Sequence, residues 1–213
     1  MIRRLPVYLL LDTSGSMKGE PIQAVNVGIQ ALVSSLRQDP NALESVYISI
    51  ITFDREVKEI LPLTELSMLQ VPHIDTPDSG PTHLGEALAF LNKRFNTDII
   101  KSTPSQKGDW APLLFIMTDG KPSDLMVFRE EVPKIKAKSF GNIVACGAGP
   151  KAKAEFLQEI TDNVAMLENT DSSTFQQYFK WVSSTVQQGS RSAGVTSNEM
   201  ELPPPPSEVN IVI

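Results

Sequence analysis

The segment Asp12-Thr13-Ser14-Gly15-Ser16 packs one carboxylate and two serine hydroxyls directly behind the apolar run 7–11 (VYLLL). A second carboxylate, Asp119, follows another apolar run, 113–117 (LLFIM), within Thr118-Asp119-Gly120. A third hydroxyl, Thr82, stands in Gly80-Pro81-Thr82, just ahead of a segment of helical period. Two unpaired carboxylates about 4 Å apart repel by about 4 kcal/mol at an effective dielectric of about 20. No basic residue lies within DTSGS or TDG, and Lys18 and Lys121 stand just outside them. A divalent cation relieves such repulsion. Carboxylate, hydroxyl and water oxygens are hard ligands, suited to Mg²⁺, Ca²⁺ or Mn²⁺ rather than zinc. We expect one divalent cation, Mg²⁺ first and Ca²⁺ or Mn²⁺ as alternatives.

For these groups to meet, the two apolar runs must be neighbouring strands. Runs 7–11, 46–53, 113–117, 143–146 and 164–167 are apolar without alternation, as strands buried on both faces require. Run 57–63 follows 46–53 through Asp54-Arg55-Glu56 and reads as an antiparallel edge. Between them, apolar residues recur in steps of three and four, as in Ile22, Val25, Ile29, Leu32, Val33 and Leu36, or Leu84, Leu88, Leu91 and Phe95. Helices are therefore expected over 21–38, 84–100, 124–139 (with Asp124 as its N-cap and Pro133 kinking or breaking it), 152–160 and 173–188. Residues 66–81 read mostly as loop. Strands alternating with helices predict an α/β class, a doubly wound, mostly parallel central sheet with one antiparallel edge strand and helices on both faces. Ligands in such folds bind beyond the carboxyl ends of the strands, where DTSGS and TDG lie.

Asp12-x-Ser14-x-Ser16, the later Thr82 and Asp119 after an apolar strand resemble the metal-ion-dependent adhesion site (MIDAS) of von Willebrand factor A (vWA) domains. The resemblance covers most of the chain. It implies that Ser14, Ser16 and Thr82 contact the metal, that Asp12 and Asp119 bind it directly or through water, and that an acidic residue of a protein partner fills an open position. Many members have Gly-Gly before the threonine, where this chain has Gly80-Pro81. A narrower likeness lies in Gly19-Glu20-Pro21-Ile22, Leu36-Arg37-Gln38-Asp39-Pro40, Lys107-Gly108-Asp109-Trp110 and Thr118-Asp119-Gly120-Lys121-Pro122-Ser123-Asp124. These resemble the bacterial tellurium-resistance vWA proteins (the TerY group). That resemblance implies a cytoplasmic role in stress response, with other tellurium-resistance proteins or a kinase and phosphatase pair as partners.

Composition narrows the alternatives. The chain has 213 residues, a formal charge of −6, one cysteine and two histidines. That excludes an intrachain disulfide framework, a His-rich metal centre and nucleic-acid binding through a broad basic face. Residues 1–11 imitate a signal peptide, but the apolar run is short and no small-residue cleavage site follows. No run reaches the ~18 apolar residues of a spanning helix, so no direct membrane insertion is expected. Gly147-Ala148-Gly149-Pro150-Lys151-Ala152 imitates a dinucleotide fingerprint, on a strand too late for a βαβαβ half. The enzymatic alternative is a Mg²⁺-dependent phosphatase or phosphotransferase using a strand-end aspartate. It lacks the second aspartate of the haloacid-dehalogenase pattern, where Ser14 stands. Asp54 reads as a solvated loop charge, His73 as exposed, His83 as adjoining the site rim, and Cys146 and the Phe175/Phe179 stripe as core. Residues 1–188 are expected to form the vWA-like domain. Residues 189–213 form a tail with four prolines (203–206) and an apolar end, VNIVI, expected to fold back onto the domain.

Overall fold

Strand β1 (Leu5–Asp12) is buried at every position, which is why its sequence is continuously apolar. Its side chains alternate between two cores. Leu5, Val7, Leu9 and Leu11 face one, while Tyr8 and Leu10 face the other. The computed structural model describes residues 3–78, 80–191 and 201–212. Further along the chain come α1 (Glu20–Arg37), α2 (Pro40–Ser45), β2 (Val46–Phe53), β3 (Val57–Glu65) and α3 (Leu84–Asp98). They are followed by β4 (Leu113–Thr118), α4 (Leu125–Lys136), β5 (Asn142–Ala148), α5 (Ala154–Ile160), β6 (Val164–Leu167), α6 (Ser172–Arg191) and β7 (Asn210–Val212).

Among the described residues the strands form one seven-stranded sheet in the order β3-β2-β1-β4-β5-β6-β7. β1 pairs parallel with both β2 and β4, and β4, β5 and β6 continue parallel. The chain thus winds outward in one direction from β1 and in the other from β4. The β1/β4 boundary is the switch point at which such sheets open a crevice. Residues of α1 and α6 fill the core on one face, and residues of α3, α4 and α5 fill the other. α1 and α6 approach closely at Gly28, where a Cβ would lie 2.1 Å from the Phe179 ring.

The expected fold class holds, with corrections at its margins. Both edge strands are antiparallel, β3 on β2 and β7 on β6, rather than one. α2 was not anticipated, although Asp39 and Pro40 carry its start signal. The Asp39 carboxylate caps it, accepting from Asn41 N–H (2.9 Å) and Ala42 N–H (3.1 Å). α4 runs through Pro133 and ends at Lys136. Pro133 is exposed, so the carbonyl left unpaired one turn earlier lies on the solvent side.

The end of the sheet opposite the carboxyl edge is clamped by Gly108-Asp109-Trp110. Asp109, whose side chain is 2% exposed, accepts from Arg4 Nε (2.8 Å), Arg4 Nη2 (2.7 Å) and Ile100 N–H (2.8 Å). The Arg3 guanidinium lies 3.6 Å from the centre of the Trp110 ring. A Cβ on Gly108 would meet the Ile100 carbonyl oxygen at 2.3 Å, so only glycine lets this loop close.

The tail boundary falls differently from expectation. Gly189 lies inside α6, which reaches Arg191, and the polar stretch 192–200 lies outside the described residues. Beyond it the chain folds back. Trp181 Nε1 donates to the Pro203 carbonyl (2.8 Å), Val209 is buried, and β7 zips onto β6.

Two predictions follow from these contacts. Asp109→Ala leaves the mostly buried Arg4 without its counter-charge and with only the Asp98 carbonyl to accept from it, and should lower unfolding stability by about 3 kcal/mol, measured by urea denaturation; a loss below about 1 kcal/mol would show the clamp to be idle. Trp181→Phe keeps one aromatic ring but removes the pyrrole half of the buried indole, and with it the bond to Pro203, so its packing loss adds to the cost of that bond. The bond alone should cost about 1 kcal/mol, and the variant should speed amide exchange in β7 ahead of β1; unchanged exchange in β7 would contradict this.

Candidate metal centre

Asp12 closes β1 and Thr118 closes β4, one register step beyond the pair Leu11↔Met117. This register puts DTSGS and TDG side by side at the carboxyl edge. Thr118 Oγ1 donates to Asp12 Oδ2 at 2.5 Å, and Ser14 N–H donates to Asp12 Oδ1 at 2.7 Å. The DTSGS turn passes through a single 3-10 turn, Gly15–Met17, closed by Met17 N–H on the Ser14 carbonyl (2.9 Å). That turn sets Ser14 Oγ 3.2 Å from Ser16 Oγ and lets Ser16 Oγ donate to Asp119 Oδ1 at 2.8 Å. Gly19, at φ +91°, then redirects the chain into α1.

Thr82 arrives from the α3 side. Its N–H donates to Ser123 Oγ (3.1 Å) and its carbonyl accepts from Ser123 N–H (2.8 Å), which ties the loop to the residues following TDG. Its Oγ1 comes so near Gly120 that a Cβ there would sit 3.4 Å away. All five sequence-predicted residues, Asp12, Ser14, Ser16, Thr82 and Asp119, therefore meet on one patch, and Pro81 does not keep Thr82 away.

Burial grades across this patch. Asp12 is 1% exposed, Ser14 0%, Asp119 6% and Thr82 7%, whereas Ser16 is exposed. The oxygens form a floor that opens to solvent on the Ser16 side. Burial works against both carboxylates. It pushes Asp12 up to about 6, against hydrogen bonds from Thr118 and Ser14 that favour its charged form, and the charge of Asp119 pushes it further. Asp119 is also raised by burial, with Ser16 and Lys151 opposing. Buried carboxylates facing hydroxyl oxygens constitute a hard donor set that a small divalent cation fits. Among the described residues no three of His, Cys, Asp and Glu gather at a common point. This patch has two carboxylates, and hydroxyls supply the rest.

Three other acidic or imidazole side chains near the patch behave as follows. Asp124 is the N-cap residue of α4, as expected, and its carbonyl accepts from Phe128 N–H (2.9 Å), but its side chain makes no cap bond there. Its carboxylate instead accepts from Gly85 N–H (3.1 Å) and Glu86 N–H (2.8 Å), the free amides of α3. Asp54 is a half-buried loop charge, as expected, that also holds the DTSGS turn: Thr13 Oγ1 donates to its carboxylate at 2.8 Å. Sequence reasoning passed over it because it lacks a neighbouring hydroxyl in the chain; the hydroxyl comes from β1's turn instead. His83 follows Thr82 and stands 3.6 Å from Glu86. His73 is exposed beside Asp75, and Cys146, Phe175 and Phe179 are core. An open cleft of about 590 Å³ adjoins the patch, with Thr13, Asp54, His73 and Pro77 among its walls.

Comparison with known proteins agrees with this architecture. The family model of the von Willebrand factor type A domain matches residues 7–181. A von Willebrand factor type A structure from Catenulispora acidiphila superposes with a TM-score of 0.67 at 18% identity, covering 87% of this chain and 43% of that one. Proximal thread matrix protein 1 from the mussel byssus superposes with a TM-score of 0.64 at 18% identity, covering 87% of this chain and 48% of that one. A further structure of the mussel protein has a zinc-occupied MIDAS motif, with a TM-score of 0.63, 19% identity and coverage of 87% and 48%. The chain thus spans less than half the length of each of these structures. No curated protein sequence matches the chain.

The Thr118–Asp12 bond can be tested without any ligand. Thr118→Val keeps the shape and leaves Asp12 Oδ2 buried without a donor. In chelator this should cost about 1–3 kcal/mol of stability, read by urea denaturation, and a variant as stable as the parent would show that the bond contributes nothing.

Proposed function

The chain belongs to the von Willebrand factor type A family, and on that premise we propose that it is a non-catalytic protein-interaction module that depends on one divalent cation. The observation carrying this reading is the convergence of Asp12, Ser14, Ser16, Thr82 and Asp119 on one patch that is buried beneath and exposed at Ser16. Ser14, Ser16 and Thr82 would hold the cation through hydroxyls, and Asp12 and Asp119 would balance its charge. Mg²⁺ is the preferred ion because every donor is a hard oxygen, with Ca²⁺ or Mn²⁺ as alternatives. The zinc in the mussel protein's motif is a reason to include zinc in the tests.

What the cation supplies is local positive charge on a chain of formal charge −6. An acidic residue of a protein partner, approaching from the Ser16 side, would complete the coordination. The partner's own carboxylate then becomes the recognised group, and the exposed Ser16 hydroxyl orients it. Phosphoryl transfer through Asp12 is disfavoured on geometric grounds. At 1% exposure a phosphorus atom has no approach to its carboxylate, whereas a small cation would reach it through the lone pairs that its two hydrogen bonds leave free. Among the described residues no helix is long and apolar enough to cross a membrane.

The loop motifs shared with the tellurium-resistance group support placing this module in a bacterial stress response of that kind, in the cytoplasm. Partners there would be other tellurium-resistance proteins or a kinase and phosphatase pair.

Saturating Mg²⁺ at a hundredfold excess over Kd should raise stability by ~2.7 kcal/mol. Thermal unfolding with Mg²⁺, with EDTA and with Asp12→Ala tests it: the shift should be present in the first and absent from the other two. Equal unfolding in Mg²⁺ and EDTA would remove the metal reading, and partner retention unaffected by EDTA would remove the proposed mode of binding.

A further inference from the structure

Among the described residues Asp54 hydrogen-bonds to none of the five candidate ligands, yet it joins two of the loops that carry them. It is the residue immediately after β2, the parallel neighbour of β1. One carboxylate oxygen accepts from Thr13 Oγ1 (2.8 Å), between Asp12 and Ser14 in the DTSGS turn. The other accepts from Glu56 N–H (3.0 Å), which fixes the side chain against its own β-turn. Its backbone carbonyl accepts from His83 N–H (3.1 Å), the amide next to Thr82. The Phe53 carbonyl, one residue earlier, accepts from Thr13 N–H (2.8 Å). Gly80 crosses over it, and a Cβ on Gly80 would lie 3.7 Å from Asp54 Cβ.

Asp54 is thus the fixed point from which the serine turn and the threonine loop are both measured. Thr82 has a second tether, Ser123, on the TDG side. With Ser123 it joins three chain segments that are far apart in sequence. Oxygen donors around a small hard cation must be held to within about 0.5 Å of their working positions. Neither DTSGS nor the described residues of 66–83 form regular structure throughout, so this tolerance has to come from cross-loop bonds. We propose that the Asp54 side chain is a positioning residue of the metal centre, acting through Thr13 on Ser14 and Ser16, while its backbone carbonyl ties the Thr82 loop through His83 whatever side chain stands there. The proposal rests on the metal-binding reading above. Its essential feature is hydrogen-bond geometry and not the carboxylate's charge.

That distinction makes it testable by isothermal titration of the full chain with Mg²⁺, and with Mn²⁺ where Mg²⁺ heats are small. Asp54→Ala should weaken binding by about 10–100-fold, the range for groups that orient metal ligands. Thr13→Val should weaken it in the same direction, and the double variant should be no weaker than Asp54→Ala alone, because both remove one linkage. Asp54→Asn should stay within about threefold of the parent: its Oδ1 accepts from Glu56 and its Nδ2 donates to the Thr13 hydroxyl. Unfolding temperatures in chelator give the purely structural part, which should not rank the variants in the same order. Asp54→Asn as weak as Asp54→Ala would assign the effect to charge and overturn the proposal. So would Mg²⁺ affinity unchanged in Thr13→Val, a result that stands even if Asp54→Ala does not fold. A parent chain that binds neither ion would instead sink the metal reading itself, and the positioning role with it.

Discussion

Two carboxylates end neighbouring parallel strands at the place where the sheet's winding changes direction, and burial opposes the charge on both. Asp12 and Asp119 are 1% and 6% exposed. Such groups persist in a fold only when hydrogen bonds or a counter-charge offset their desolvation. The hydrogen bonds are visible: Thr118 and Ser14 on Asp12, Ser16 on Asp119. They reduce the cost without removing it, since Asp12 remains raised to about 6. The protein thus carries an electrostatic tension at one edge of its sheet, and the surrounding loops are built around it.

That edge is held from several directions. The β1/β4 register sets the two carboxylate-bearing loops side by side, and the buried alternation of β1 side chains into both cores fixes that register. A one-residue slip would turn Leu9 and Leu11 into the wrong core and move Asp12 away from Thr118. At the far end, Arg4 and Asp109 anchor the start of the same strand. The loops at the carboxyl edge then lock to one another by polar bonds across the switch point: Thr82 to Ser123, Asp124 to the first amides of α3, Thr13 to Asp54. Rigidity of the patch comes from the strands beneath it and from these bonds, and little of it comes from the loops' own backbone.

The parts of this arrangement that were legible in the sequence are those with a local signature. Fully buried strands read as unbroken apolar runs, and amphipathic helices read by period, so β1, β2, β4, β6, α1 and α3 emerge nearly at their true limits. DTSGS, Thr82 and TDG were recognisable because their oxygens follow strands or precede a helix. What was not legible depends on partners distant in the chain. That the apolar tail folds back was expected from its sequence, but the choice of β6 as the edge it pairs with is something no local pattern describes. Asp124 reads correctly as the N-cap residue of α4, but its carboxylate goes to the amides of α3. Asp54 reads as a loop charge, but the hydroxyl that binds it is 41 positions away. α2 is the exception: its Asp-Pro start was present in the sequence and went unread because the helix has only six residues.

On the proposed reading, the composition of the patch is what suits it to recognition. Two carboxylates neutralise a divalent charge, and three hydroxyls donate lone pairs without adding charge. A third ligating carboxylate would tighten the hold on the cation and leave the patch net negative, which would repel an acidic partner. Asp54 is a third carboxylate close by that makes its hydrogen bonds to Thr13 and Glu56 instead. It organises the donors while remaining outside their number. On the proposed reading, an acidic protein keeps a single point of positive potential by limiting which of its many carboxylates reach that point. Hydroxyls at Ser14, Ser16 and Thr82 are what make that limit possible.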